Sequence, residues 1–177
     1  MKRSVFLWQA AGFAFATLCG TLLHFLYDWT GESILVAPFS GINESTWEHM
    51  KLLYWPILSF ALIQSLFWRD RGDFWRVKLA GGLVGLALIP VLFYTCNGAF
   101  GKSPDWVNIV IFYVSAAAGF LLEWWLFRNR SLPCRRPWLA FCAIGLIGAL
   151  FVLFTFAPPQ IPLFRDPATG YFGRQSK

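Results

Sequence analysis

Five long runs of apolar residues, separated by short polar stretches, dominate the chain. They span about Val5–Tyr27, Thr46–Trp68, Val77–Cys96, Trp106–Phe127 and Trp138–Ala157. Each run is close to the roughly 20 residues that a helix needs to cross the hydrocarbon core of a bilayer. Because backbone groups in lipid must be paired internally, each run is predicted to be a transmembrane helix. The pattern predicts an all-α integral membrane protein, with a five-helix bundle as a single domain over residues 1–177.

The connections between these runs predict how the helices are arranged. Three of the connections are short, at residues 69–76, 97–105 and 128–137. Short connections favour antiparallel neighbours, so consecutive helices are expected to pack side by side. Small residues predict close helix contacts in the third and fifth runs, at Gly81, Gly82, Gly85, Gly145 and Gly148.

Two further segments are less regular. The segment from Trp29 to Glu44 is too apolar for a solvated loop and too short to span a bilayer, which favours a partly buried cap. The tail from Pro158 to Gly173 alternates turn-forming residues with large apolar ones. Such a tail is compatible both with folding back over the bundle and with flexibility.

Composition and charge support a membrane location and predict an orientation. The chain is 57% hydrophobic and 14% charged, a balance unsuited to a water-soluble domain. Lys and Arg are retained on the cytoplasmic side, and ten of the fifteen fall on the side of the N-terminus. These ten are Lys2, Arg3, Arg69, Arg71, Arg76, Lys78, Arg128, Arg130, Arg135 and Arg136. We therefore expect a bacterial inner-membrane protein with its N-terminus inside and its C-terminus outside. Because the basic excess follows this topology, it does not indicate a nucleic-acid partner.

Chemistry-bearing residues concentrate at the predicted outer side. The stretch Asn43–Lys51 includes Glu44, Glu48 and His49, which stand where the second apolar run begins. Ionisable groups at such positions usually face a partner, a cavity or a substrate. His24, the only other histidine, lies at the outer end of the first run. A rise of about 1.5 Å per residue places both imidazoles about 6 Å from their helix ends, and therefore at a similar depth.

These residues suggest a metal site. The predicted ligands of a divalent ion such as zinc are His24, Asp28, Glu48 and His49. Glu44 and Glu48 are the candidate catalytic carboxylates, with Glu44 as a general base beside a metal-activated water. Further expected pocket residues are Asn43, Lys51, Tyr94 and Asp166. The four cysteines lack C-x-x-C spacing and do not suggest a thiolate site.

An architectural interpretation explains part of the same stretch. Ser45 and Glu48 have the spacing of a capping box, in which each side chain accepts a bond from the other residue's backbone N–H. Trp47 then anchors at the interface, and Lys51 pairs with Glu48 or extends outward. This interpretation leaves both histidines and Glu44 unexplained.

Two other functions stay open. A small proton- or cation-linked permease would use the histidines and glutamates as a relay. The inner halves of the helices offer few polar residues for a conduit, and Glu123 is expected to pair with Arg128 at the interface. A non-enzymatic accessory protein would use the motif only as a cap. The expected partners are the lipid bilayer and a small-molecule or lipid ligand at the outer face, while the oligomeric state stays open.

Several motifs resemble a family of small, uncharacterised bacterial polytopic membrane proteins. They are the N-E-S-x-W-E-H-x-K core in residues 43–51, Phe93-Tyr94-Thr95 before a Gly98-x-x-Gly101 turn, and the closing Pro162-Leu163-Phe164-Arg165-Asp166-Pro167-x-Thr169-Gly170. The resemblance covers most of the chain and departs from the pattern at Cys96-Asn97. It implies that His24, the Asn43–Lys51 motif and the tail around Asp166 form one outer unit, and it implies no substrate.

Overall fold

The computed structural model describes residues 2–68, 71–101, 104–129 and 136–174. The helices are α1 (Lys2–Trp29), α2 (Thr46–Phe67), α3 (Phe74–Phe100), α4 (Asp105–Asn129), α5 (Pro137–Phe156) and a short 3-10 helix at Pro162–Phe164. No β-strand occurs within these ranges. Each of the five α-helices is long and apolar enough to cross a membrane, which agrees with the predicted all-α architecture of five long apolar helices. Three of the basic residues that predict the orientation, Arg69, Arg130 and Arg135, and one of the four cysteines, Cys134, lie outside the described ranges.

The helices do not all pack against their neighbours in the chain. α1 contacts α2 and α4, and α3 contacts α2, α4 and α5. α5 lies against α3 and α2, and it has no extensive contact with α4. The prediction that consecutive helices are neighbours therefore holds from α1 to α4 and is wrong for α5. A short connection limits the distance between helix ends, but it does not dictate which faces pack together.

α3 and α4 approach closely because both carry glycine at their crossing. A Cβ atom added to Gly119 would lie 2.8 Å from the carbonyl oxygen of Gly81, and one added to Gly85 would lie 3.2 Å from that of Ser115. The predicted role of Gly81 and Gly85 is thus confirmed, with Gly119 as the partner. Gly82 faces open space, so the same prediction is wrong there.

In α5 the two glycines differ in the same way. Gly148 lies under the ring of Tyr54, whose hydroxyl donates a 2.7 Å hydrogen bond to the carbonyl of Ile144 and so joins α2 to α5. Gly145 has no neighbour within 4 Å, so the predicted close contact is wrong at that position.

An ion pair lies buried in the half of the bundle that contains the N-terminus of α3. The Nζ atom of Lys78 is 2.6 Å from an Oε atom of Glu123, and both side chains are at most 2% exposed. Four aromatic rings surround the ammonium at 5.6–6.0 Å, those of Phe60, Phe74, Phe120 and Phe127. The expected pairing of Glu123 with Arg128 is wrong. Arg128 instead lies over the ring of Trp124.

The connection between α1 and α2 is a folded cap over the other half of the bundle. Its Ser40 is fully buried, accepts a hydrogen bond from the backbone N–H of Tyr27 and donates one to the carbonyl of Leu23. Trp55 of α2 donates to the carbonyl of Pro38 at 2.9 Å. The segment is only partly buried, because Leu35 is 81% exposed. These contacts agree with the predicted cap.

The tail folds back onto the same half of the bundle. Phe164 is buried against the rings of Trp47 and Phe154, at centroid distances of 4.6 and 5.4 Å. The Nε of Arg174 donates to the hydroxyl of Tyr27 at 2.9 Å. Of the two alternatives for the tail, the folded one is correct. We call this half of the molecule, which contains the end of α1, the start of α2, the cap and the tail, the site end.

Candidate functional site

Three donor side chains meet at the site end. His24 lies near the end of α1, His49 lies in the first turn of α2, and Glu44 lies in the segment just before α2. One carboxylate oxygen of Glu44 is 3.5 Å from Nε2 of His24, and the other is 3.6 Å from Nε2 of His49. One donor atom from each residue lies within 4.8 Å of the other two. The predicted match in depth between the two histidines thus brings them together, and Glu44 joins them.

The turn before α2 positions Glu44. The backbone N–H of Ser45 donates to the side-chain oxygen of Asn43 at 2.9 Å, which closes a tight turn around Glu44. The amide group of Asn43 also donates to the carbonyl of Gly173 in the tail at 3.1 Å. The structure thus places Asn43 in the turn that carries Glu44, where its side chain bonds to Ser45 and Gly173.

The ring of His49 is oriented by its own helix. Its Nδ1 lies 3.0 Å from the backbone carbonyl oxygen of Ser45. Because a carbonyl oxygen can only accept, Nδ1 carries the hydrogen and the neutral ring presents a lone pair at Nε2. This nitrogen lies 3.6 Å from the carboxylate of Glu44. Histidines that bind metals typically hold their second nitrogen in this way, which fixes the tautomer and the ring orientation.

The spacing of the donors is compatible with a single metal ion. Zinc binds imidazole nitrogens and carboxylate oxygens at about 2.0–2.2 Å, so tetrahedral ligand atoms lie about 3.4 Å apart. The two nitrogen–oxygen separations of 3.5 and 3.6 Å are close to that value. Glu44 is 53% exposed, so the group is accessible from outside the bundle. Two imidazoles and one carboxylate with a fourth position open is a ligand set found at catalytic zinc sites.

Glu48 lies close in sequence but has a different partner. Its carboxylate is 2.6 Å from Nζ of Lys51 and accepts a 3.0 Å hydrogen bond from the backbone N–H of Ile42. Lys51 is fully buried, and its ammonium also donates to the carbonyl of Ala37 at 2.7 Å and the hydroxyl of Thr155 at 3.1 Å. The structure therefore places Glu48 outside the donor group. The pair fastens the cap and α5 to α2.

The capping interpretation holds in one direction only. The hydroxyl of Ser45 accepts from the backbone N–H of Glu48 at 3.4 Å, as predicted. The reciprocal bond is absent from the described residues, because the Ser45 N–H donates to Asn43 and the Glu48 carboxylate accepts from Ile42. Lys51 pairs with Glu48 and does not extend outward. The ring of Trp47 is buried against Phe151, at 4.5 Å between centroids, rather than anchored at an interface.

The remaining predicted residues do not join the histidines. Asp28 is exposed near the end of α1 and is not part of the donor group. Tyr94 and Asp166 line a separate groove of about 570 Å³ between α3 and the tail. The carboxylate of Asp166 accepts from the backbone N–H of Ala168 and the hydroxyl of Thr169, so it closes a turn of the tail. The buried Ser40 of the cap was not identified from the sequence, although a serine next to Gly41 between apolar residues is a recognisable pattern.

Comparison with known proteins identifies a family but no characterised relative. A model described as "Family of unknown function (DUF6512)" matches residues 2–174. No curated protein and no solved structure matches the chain. The family match agrees with the resemblance to an uncharacterised family that was drawn from the motifs.

Proposed function

The chain belongs to the DUF6512 family of unknown function, and we propose that it binds a divalent metal ion of the zinc type through His24, Glu44 and His49. The observation that supports this proposal is the carboxylate of Glu44, which reaches both imidazoles at 3.5 and 3.6 Å. The Ser45 carbonyl supports it further by leaving Nε2 of His49 free to bind. Glu44 then acts as a ligand rather than as the general base that the sequence suggested.

Metal-dependent hydrolysis is the chemistry that this ligand set suits best. Three protein ligands leave one position of a tetrahedral ion for water, and a bound zinc ion lowers the pKa of that water to about 7. The charge distribution favours placing this site on the outer face of a bacterial cytoplasmic membrane, since most basic residues lie toward the other end.

Proton- or cation-linked transport is a weaker candidate. A relay needs carboxylates that can exchange protons along a polar route. The two carboxylates buried inside the described helices, Glu48 and Glu123, are each paired with a lysine at 2.6 Å. The main buried core of the described helices is an apolar cluster that includes Leu53 and Phe60. We therefore prefer metal binding to transport.

Metal analysis of the full-length protein purified in detergent tests the proposal. We expect close to one zinc-type ion per chain, which is lost in a His24→Ala, His49→Ala double variant. Asp28→Asn is the matched control, because it removes an exposed carboxylate at the same end and should leave the metal content unchanged. Purified protein that takes up no divalent ion, even after incubation with excess zinc, would disprove the proposal.

A further inference from the structure

A cavity of about 220 Å³ lies directly beside the two histidines. His24 and His49 form part of its wall. The rest of the wall is mainly apolar and comes from α1, α2 and α4, through Gly20, Phe25, Leu52, Ile109, Phe112 and Tyr113. Gly20 allows α1 to come close to α4, because a Cβ atom there would lie 2.6 Å from the ring of Phe112. The donor group thus stands at one end of an apolar chamber.

The cavity is reached from the surface that the helices present to lipid. Three wall residues are substantially exposed, with Phe25 at 44%, Ile109 at 60% and Tyr113 at 40%. All three lie within helices that are long and apolar enough to span a membrane. In a bilayer, a molecule that enters between these side chains comes from the lipid side of the bundle, which favours a lipid over a water-soluble solute.

One polar atom in the cavity wall lacks a hydrogen-bond donor among the described residues, and a ligand would supply one. The side-chain oxygen of Asn108 is buried and has no hydrogen-bond partner within the described ranges. Asn108 lines the cavity together with His49. A buried polar atom left unpaired is unfavourable, so a ligand that brings an N–H or O–H group to this point is favoured.

From this combination we propose that the site takes an acyl lipid, with its carbonyl group at the metal and its chain in the cavity between α1 and α4. An N–H or O–H group next to the carbonyl donates to Asn108. This assignment rests on the proposed metal site and adds a substrate class to it. An apolar cavity of about 150 Å³ already accepts benzene. At about 30 Å³ for each water-sized CH₂ group, this cavity holds on the order of seven such groups. The length of acyl chain that fits inside is therefore limited.

Alkyl hydroxamates are suitable probes, because they combine a zinc-binding carbonyl and an N–H group with a chain of chosen length. The experiment measures their dissociation constants for the zinc-loaded, full-length protein in detergent. We expect octanohydroxamate to bind at least tenfold more tightly than acetohydroxamate, with no further gain from octanoyl to dodecanoyl. If the alkyl chain of the probe merely partitioned into the micelle, the apparent affinity would instead rise with every added carbon.

Two pairs of variants test where the alkyl chain of the hydroxamate binds. Ile109→Trp fills the cavity, while its neighbour Val110→Trp, which is 48% exposed and outside the cavity wall, is the control. Thr21→Phe and its control Leu22→Phe repeat the comparison on α1. We expect each filling variant to lose the gain from the longer chain and to keep its affinity for acetohydroxamate. That retained affinity also shows that the variant is folded.

The outcomes separate the two proposals. If zinc and acetohydroxamate bind but chain length has no effect, the lipid assignment is wrong while the metal site stands. The lipid assignment is equally wrong if the control variants lose the chain-length gain together with the filling variants. If no zinc binds, both proposals are overturned.

Discussion

Lys51 and Glu48 form an ion pair with 2.6 Å between Nζ and Oε2, and neither side chain is more than 3% exposed. The lysine ammonium bonds in addition to the cap and to α5, through Ala37 and Thr155. A pair of this kind is part of the tertiary structure and not a local feature of one helix. Its removal should therefore cost more than the loss of a helix cap.

The first prediction concerns the charge of this pair. We expect Glu48→Gln to lower the free energy of unfolding by about 3–5 kcal/mol, because it leaves the Lys51 ammonium buried without a counter-charge. Ser45→Ala should cost only about 1 kcal/mol, since it removes the cap alone. Reversible unfolding in mixed micelles measures both. If the two variants lose the same stability, the pair contributes nothing beyond the cap.

A second prediction separates a metal site from a cluster of hydrogen-bonded histidines. Zinc at 100 times its dissociation constant should stabilise the native protein by about 2.7 kcal/mol, because it binds only the folded chain. Glu44→Gln removes one ligand charge, and we expect this stabilisation to fall well below that value at the same zinc concentration.

Asp105→Asn serves as the control for Glu44→Gln, because Asp105 is an exposed carboxylate in the first turn of α4, outside the donor group. Thermal unfolding with and without zinc gives the comparison. Equal stabilisation of the Glu44→Gln variant and the original chain would show that Glu44 is not a ligand.

The third prediction compares two adjacent glycines of α3. We expect Gly81→Ala to destabilise the bundle, because its new methyl group would meet the side chain of Glu123 and the carbonyl of Gly119. Gly82→Ala meets nothing within 4 Å and should be neutral or stabilising by up to about 1 kcal/mol, the cost of glycine in a helix. The unfolding midpoints of the two variants in detergent give the comparison. A Gly81→Ala variant as stable as Gly82→Ala would contradict the close approach of α3 and α4.

The fourth prediction concerns the tail. Phe164 is 4% exposed between two aromatic rings, so Phe164→Ala should lower the free energy of unfolding by about 3–5 kcal/mol. Tyr171→Ala, in the same tail but 62% exposed, should change it by less than about 0.5 kcal/mol. Protease digestion provides a second measurement, since a released tail is cut sooner. Equal behaviour of the two variants would mean that the tail does not stabilise the bundle.

The sequence was sufficient for the five helices and for the meeting of the two histidines. Helix length follows from apolar run length, and the depth of each histidine follows from the rise per residue. For Glu48, the sequence predicted the partner but not the burial of the pair. Its pairing with Lys51 is a spacing of three residues, but the burial of that pair depends on Thr155, 104 residues away in the chain. The hydrophobic periodicity of the sequence does not predict a contact between residues so far apart.

Two further differences have similar causes. Asp28 was predicted to be a ligand together with His24, yet it lies four residues, about 6 Å, further along the axis of α1, where it is exposed. The position of α5 against α3 and α2 depends on side-chain complementarity, such as that between Tyr54 and Gly148. Loop length alone carries no such information.

The bond from Lys51 to Thr155 also has a consequence for biogenesis. A chain is synthesised from its N-terminus, so α1, the cap and α2 emerge before α5 exists. Until then the Lys51 ammonium has its glutamate but lacks its hydroxyl partner, and Asn43 still lacks the Gly173 carbonyl that braces the turn around Glu44. The donor group therefore reaches its final form only after translation of α5 and the tail, so the proposed metal ion would bind after the bundle is assembled.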